Sequence, residues 1–131
     1  MIGDCVANSI GLYLGEFEIQ NLIATGRLTS CEPKLRIDGI DSSFIKNRMR
    51  SVGKVFDVAD EDGNIKTKAK LADSFITTFG NPDPKMVSGL GFGSDVQACK
   101  EQYSAFWKEN FPEVSLTDST ELFVSIWEHV Q

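Results

Sequence analysis

Cys5 and His129 are the residues from which a nucleophilic mechanism would start. Asp4-Cys5 precedes a predicted helix, and a helix N-terminus lowers the pKa of a thiol. A cysteine-dependent hydrolase also needs a general base, most often histidine. His129 is the only histidine and falls on the last predicted element, with no nearby residue to orient its ring. Hydrolysis is therefore the last-ranked of three readings. The cysteines are Cys5, Cys31 and Cys99, an odd number at wide spacing with no CxxC. That pattern argues against a zinc site or a disulfide framework and suits reduced cytosolic thiols.

Two further segments could bind ions. Asp57, Asp60, Asp62, Gly63 and Ile65 resemble the start of a calcium loop, where alternating carboxylates converge around a glycine bend. Aligned on Gly63, however, the first and last ligand positions are Val58 and Ala69, so an acidic hairpin turn is the reading. Gly89-Leu90-Gly91-Phe92-Gly93-Ser94 precedes a helix, where backbone amides can cradle phosphate. Its spacing fits neither the dinucleotide fingerprint nor a P-loop, so it reads as a connector. No catalytic residue, metal ligand or cofactor is assigned.

The elements that must position these groups follow from periodicity and punctuation. Helices are expected over 4–14, over Glu16–Thr25 with Gly26 as its stop, from Asp41 or Ser42 to Met49, and from Ala69 to Phe79. Two more are expected from Ser94 or Asp95 through Trp107, and from Asp118 or Ser119 to Val130. Lys34–Ile37 and Lys54–Val58 read as strands, the latter turning at Asp62-Gly63 into Ile65 and Thr67. The fold class is α+β, a mostly helical single domain over 1–131 with a small antiparallel hairpin or short sheet. A helix-turn-helix-like unit is expected within 4–50. Asn81 to Ser94 is the long irregular segment where contact sites tend to lie.

Composition narrows the function classes. The 131 residues are 41% hydrophobic and 24% charged, with a net charge of −6. That is ordinary for a globular domain and unlike a disordered chain. No run of apolar residues approaches a membrane span, so a cytoplasmic protein, or one within a virion, is expected. Glu101, Glu109, Glu113, Asp118, Glu121 and Glu128 face only Lys108 as a base in the last third of the chain. Such a field repels phosphate backbones. Lys46, Arg48 and Arg50 close a helix, which suits its dipole. Lys66, Lys68 and Lys70 do not, and hint at an anionic partner.

Within Val6–Met49, Leu14-Gly15, Ile19, Leu22-Ile23, Gly26-Arg27-Leu28, Leu35-Arg36-Ile37 and the helix around Phe44 follow a recognisable order. This third of the chain resembles the winged-helix domain of excisionase and MerR-type proteins. The resemblance implies DNA binding by the second helix and wing over residues 16–50, through Arg27, Lys34 and Arg36. Glu16 and Glu18 on that helix, with the overall negative charge, rank it second.

The first reading is a non-enzymatic protein–protein interaction or assembly module. It is expected to be a homodimer, of the kind found among small phage or viral accessory proteins. Phe75, Phe79, Tyr103, Phe106, Trp107, Phe111, Phe123 and Trp127 crowd the second half. Trp107, Phe111 and Trp127 are the candidate interface residues, because aromatic side chains are enriched in interfaces.

Overall fold

The computed structural model describes residues 11–131. In chain order the elements are β1 (Gly11–Tyr13), α1 (Glu16–Thr25), β2 (Arg27–Pro33), α2 (Lys34–Asp38), α3 (Phe44–Arg50), β3 (Val55–Ala59), β4 (Ile65–Thr78), α4 (Pro84–Gly89), α5 (Val96–Asn110) and β5 (Glu121–Val130). The strands form one five-stranded sheet in the order β1-β3-β4-β5-β2. β2, β5, β4 and β3 are successively antiparallel, and β1 joins β3 in parallel. No described helix is long and apolar enough to cross a membrane.

β5 is buried on both faces. Leu122, Val124 and Ile126 enter a core closed by Met86 and Val87 of α4 and Cys99 of α5. On the opposite face Trp127 meets Leu12, Ile19, Leu22, Phe56 and Leu71, and Phe123 meets Ile37, Phe44 and Ile45. Phe56 and Trp127 pack edge to face, with ring centroids 5.1 Å apart. Arg48 is only 4% exposed. Its guanidinium lies 4.7 Å from the Phe44 ring centre and 5.0 Å from that of Trp127. Delocalised charge over aromatic faces is favourable in such a setting.

The architecture corrects the expectation of a mostly helical domain with a small hairpin. The segment expected as the last helix is the central strand β5. Its Leu-Phe-Val-Ser-Ile-Trp run is buried on both sides, and such a run has no period that separates strand from helix. The segment expected as a helix from Ala69 to Phe79 belongs to β4. A bulge between Leu71 and Asp73 shifts its register by one residue. Ala69 therefore faces one core and Ala72 and Phe75 the other, and the resulting spacing of three imitates a helix.

Residues 34–37 are helical, not a strand. The strand is the preceding Arg27–Pro33, and Pro33 is the N-cap from which α2 follows at Lys34. Lys34 pairs with Asp38 one turn on, at 2.6 Å, which helical geometry permits. Gly11–Tyr13 is strand where helix was expected. The remainder of that expected helix, with Cys5, lies outside the described residues. The described part of 4–50 is not a winged helix, because the proposed wing strand is α2 and α1 leads directly into a strand of the main sheet.

Other expectations hold. α1 ends at Gly26, whose φ of 80° places it in the left-handed region that glycine adopts without strain. The Asp62-Gly63 hairpin forms, with the Asp60 carboxylate accepting the backbone N–H groups of Asp62 and Asn64. α5 is capped by Asp95, whose side chain accepts from Ala98 N–H. The segment 81–94 is less irregular than expected, because α4 occupies its middle.

Gly80 joins β4 to this segment under the backbone of Asp118. A Cβ there would lie 2.6 Å from Asp118 Cβ and 2.8 Å from its carbonyl oxygen. Gly80→Ala is expected to cost about 1–3 kcal/mol by overpacking. The denaturant midpoint checks this, since it falls with an unchanged m-value if the native state alone is strained.

Candidate functional site

The junction of β2 and α2 organises the main cleft. Glu32 is near the end of the strand and Arg36 in the first turn of the helix. Their side chains meet at 2.9 Å in a half-buried ion pair. The Arg36 guanidinium lies 4.3 Å from the centre of the Phe111 ring and 5.0 Å from that of Trp107. These three contacts hold Arg36 between Glu32 and the end of α5, so one residue ties the end of β2 to a helix more than sixty positions later in the chain.

α5 supplies the aromatic wall. Cys99, Tyr103 and Trp107 recur at every fourth position, which puts them on one helix face. Phe111 continues this series just past the last turn. Trp107 and Phe111 rings are 4.8 Å apart, and Phe106 stands edge-on to Trp107 at 5.7 Å. The Tyr103 hydroxyl donates to the Cys31 carbonyl at 3.2 Å, pinning this face to β2.

Between this wall and the sheet lies a cavity of about 280 Å³. Ser30 and Ser125 bring hydroxyls to it from neighbouring strands, Phe44 and Trp127 bring ring surface, and Glu32 and Arg36 bring charge. The Trp107 indole N–H is buried and has no hydrogen-bond acceptor among the described residues. The indole lies near enough to the Tyr103 hydroxyl to favour its ionised form but outside hydrogen-bonding geometry. A buried donor without an acceptor costs about 1–3 kcal/mol.

Burial dominates the titration of the thiol beside the cleft. Cys31 is partly exposed as a residue, but its sulfur sits 3.7 Å from Met86 Sδ, and burial pushes its thiol up to about 12. Burial also raises the Tyr103 phenol, with the Cys31 thiol as the next cause. Neither group is a ready nucleophile or base near neutral pH. His129 is on β5 and its Nε2 shares a 2.7 Å hydrogen bond with Thr67 Oγ1. It does not line the cleft. Among the described residues no three His, Cys, Asp or Glu side chains are grouped to hold a metal ion.

The six residues singled out from sequence fall in different places. Trp127 is 1% exposed and belongs to the core. Trp107 and Phe111 line the cleft, facing inward across it. Arg36 also lines it. Lys34 pairs with Asp38 on the outer side of α2, and Arg27 lies in a second groove. Glu32, Ser30, Ser125 and Tyr103 were not anticipated. The four-residue spacing of Tyr103, Trp107 and Phe111 was the one signal available. The partner of Arg36 was hidden because residues 34–37 read as strand, which separates positions 32 and 36 instead of stacking them.

No protein-family model matches the sequence, and no curated protein matches it. Among solved structures the fold is similar to the crystal structure of a DUF984 protein from Enterococcus faecalis. That match has a TM-score of 0.59 and 14% identity, and covers 92% of this chain and 76% of that one. It is also similar to the crystal structure of an ASCH domain from Lactobacillus crispatus, with a TM-score of 0.55 and 15% identity over 91% of this chain and 77% of that one. At these identities the likeness is one of fold.

The raised thiol has two measurable consequences. A proton held more tightly in the folded than in the unfolded state stabilises the fold at low pH. That stabilisation is lost as pH rises. For Cys31 it is complete below about 9 and disappears by about 12. Tyr103 acts in the same direction. The alkaline loss of stability is expected to be shallower in Cys31→Ala than in the parent, read from denaturant midpoints against pH. Peptide mapping after iodoacetamide treatment near pH 8 is expected to find Cys31 and Cys99 unlabelled in the folded protein and labelled in denaturant. Rapid labelling of the folded protein at Cys31 would contradict the buried thiol.

Proposed function

We propose that the protein is a non-catalytic binding module whose cleft takes a planar, hydrogen-bonding ring of the nucleobase kind. The observation that carries this reading is the buried Trp107 indole N–H, left without an acceptor in the wall of the cleft. Beside it the Glu32–Arg36 pair sets an acceptor and a donor next to each other. A nucleobase edge alternates acceptors and donors in the same way. Phe106, which is 51% exposed, and Phe111 line the cleft and suit its faces. Stacking of a base on an aromatic side chain is worth about 1–3 kcal/mol, and the cavity of about 280 Å³ is of single-ring or nucleoside size. Binding rather than turnover is favoured by the high pKa of the neighbouring thiol.

Calorimetric titration with adenosine, guanosine, cytidine and uridine tests the reading. At least one is expected to saturate a single site. Trp107→Phe keeps an aromatic surface and removes the N–H, so it is expected to weaken that nucleoside about tenfold. Failure of all four nucleosides to bind, or equal affinity in Trp107→Phe, defeats the reading.

A second reading is self-assembly, favoured by the large apolar side chains Phe17 and Leu35, each 82% exposed. Apolar area of this kind marks a contact surface where it is contiguous. Light scattering over a concentration series is expected to give twice the chain mass, reverting to the chain mass in a Phe17→Ser, Leu35→Ser double variant. A chain mass for the parent at all concentrations ends that reading.

A further inference from the structure

A second groove, of about 890 Å³, adjoins the cleft and shares Leu28, Thr29 and Leu90 with it as a common wall. It lies between the end of α1, the bulged part of β4 and α4 with the turn that follows. Arg27 lines it and makes no ion pair within 4 Å among the described residues, although Glu128 stands opposite on β5. Lys85 also lines it and is held by Asp73 beneath it and by the Phe75 ring at 4.8 Å. The remaining polar side chains there include Asn21 and Ser88. The groove thus offers one guanidinium outside any described ion pair, one tethered ammonium and neutral donors beside the cleft. Its lining sets Arg27 and Lys85 against Asp73, with Glu128 opposite Arg27, in a chain whose net charge is −6.

We infer that this groove receives a phosphate carried by the ring in the cleft, so that the ligand is a nucleotide or a strand of nucleic acid rather than a free base. The inference rests on the nucleobase reading for its ring and on the Arg27 groove for its anion. Arg27 is the anchor, because a guanidinium binds phosphate through paired donors. Lys85 contributes less, since Asp73 already neutralises it. The wall of Leu28, Thr29 and Leu90 separates the two parts as a sugar would separate base from phosphate. The acidic outer side of α5, with Glu101 and Glu109, and Glu113 just beyond its end, restricts the favourable path for a polyanion to the Arg27 side.

The experiment compares nucleosides, their 5′- and 3′-monophosphates and the corresponding hexanucleotide by calorimetry, at about 50 and about 200 mM salt. The expected result is that one monophosphate binds about tenfold tighter than its nucleoside at the lower salt. That gain shrinks at the higher salt and is lost in Arg27→Ala, while the nucleoside affinity stays the same. A further gain for the hexanucleotide identifies a strand as the ligand, and its absence identifies a mononucleotide. Equal affinity of nucleoside and both monophosphates overturns the inference while leaving the nucleobase reading intact. So does an Arg27→Ala variant that weakens nucleoside and monophosphate alike. If no nucleoside binds, the nucleobase reading fails, and inorganic phosphate is titrated while the Ser88 and Gly89 backbone N–H resonances in the groove are followed. A saturable shift that Arg27→Ala removes supports the anion groove by itself. No shift overturns it.

Discussion

β5 must be buried on both faces, and most of the architecture follows from that demand. A strand whose every residue from Leu122 to Trp127 is withdrawn from water needs a neighbour on each edge and a layer on each side. β4 and β2 supply the edges. α4 and α5 cover one face, and α1 with α2 and α3 cover the other. Burial of each large apolar side chain contributes about 1.5–3 kcal/mol, so the two faces of this one strand account for a substantial part of the driving force. Ser125 is the exception in the run. It sits opposite Ser74, with the two hydroxyls 3.3 Å apart, so the polar group is satisfied within the sheet.

Covering the two faces by separate helical layers creates the cleft. The layers meet at β2, where the chain passes from strand to α2 without a loop. At that corner the end of α5 and the start of α2 approach each other, and Arg36 spans the gap by stacking on Trp107 and Phe111 while pairing with Glu32. Arg48 performs a similar task inside the other layer, among Phe44, Phe56 and Trp127. Two arginines, each over aromatic rings, thus fix α2 and α3 relative to the sheet. One is buried and structural. The other is half-exposed and faces the cavity, where its charge and donors are available to a ligand.

Much of the local structure was legible. Gly26 as the stop of α1, the Asp62-Gly63 turn and the start of α5 at Asp95 all follow from residues whose backbone or hydrogen-bonding preferences act over three or four positions. Reading failed where the tertiary environment replaced the usual signal. β5 lacks alternation because both sides are apolar. β4 gained a helix-like spacing from its bulge at Ala72. Residues 34–37 alternate in polarity, yet the alternation reflects Leu35 standing 82% exposed while Ile37 is buried against Phe123. The aromatic half of the site was visible as a stripe, but not what faced it.

The sequence by itself determined the turns and caps, the acidic balance of the last third and the concentration of aromatic residues there, because each depends on neighbours in the chain. The tertiary structure decided which apolar runs became strands. It also decided that Trp127 is core while Trp107 and Phe111 line a cavity, and that Glu32, Ser30, Ser125 and Arg36 converge upon it. Those outcomes depend on pairing β2 with β5, whose partners Pro33 and Leu122 are the nearest in sequence and still lie far apart along the chain. Contacts closed over such a separation carry no local periodicity, so only the folded sheet could reveal them.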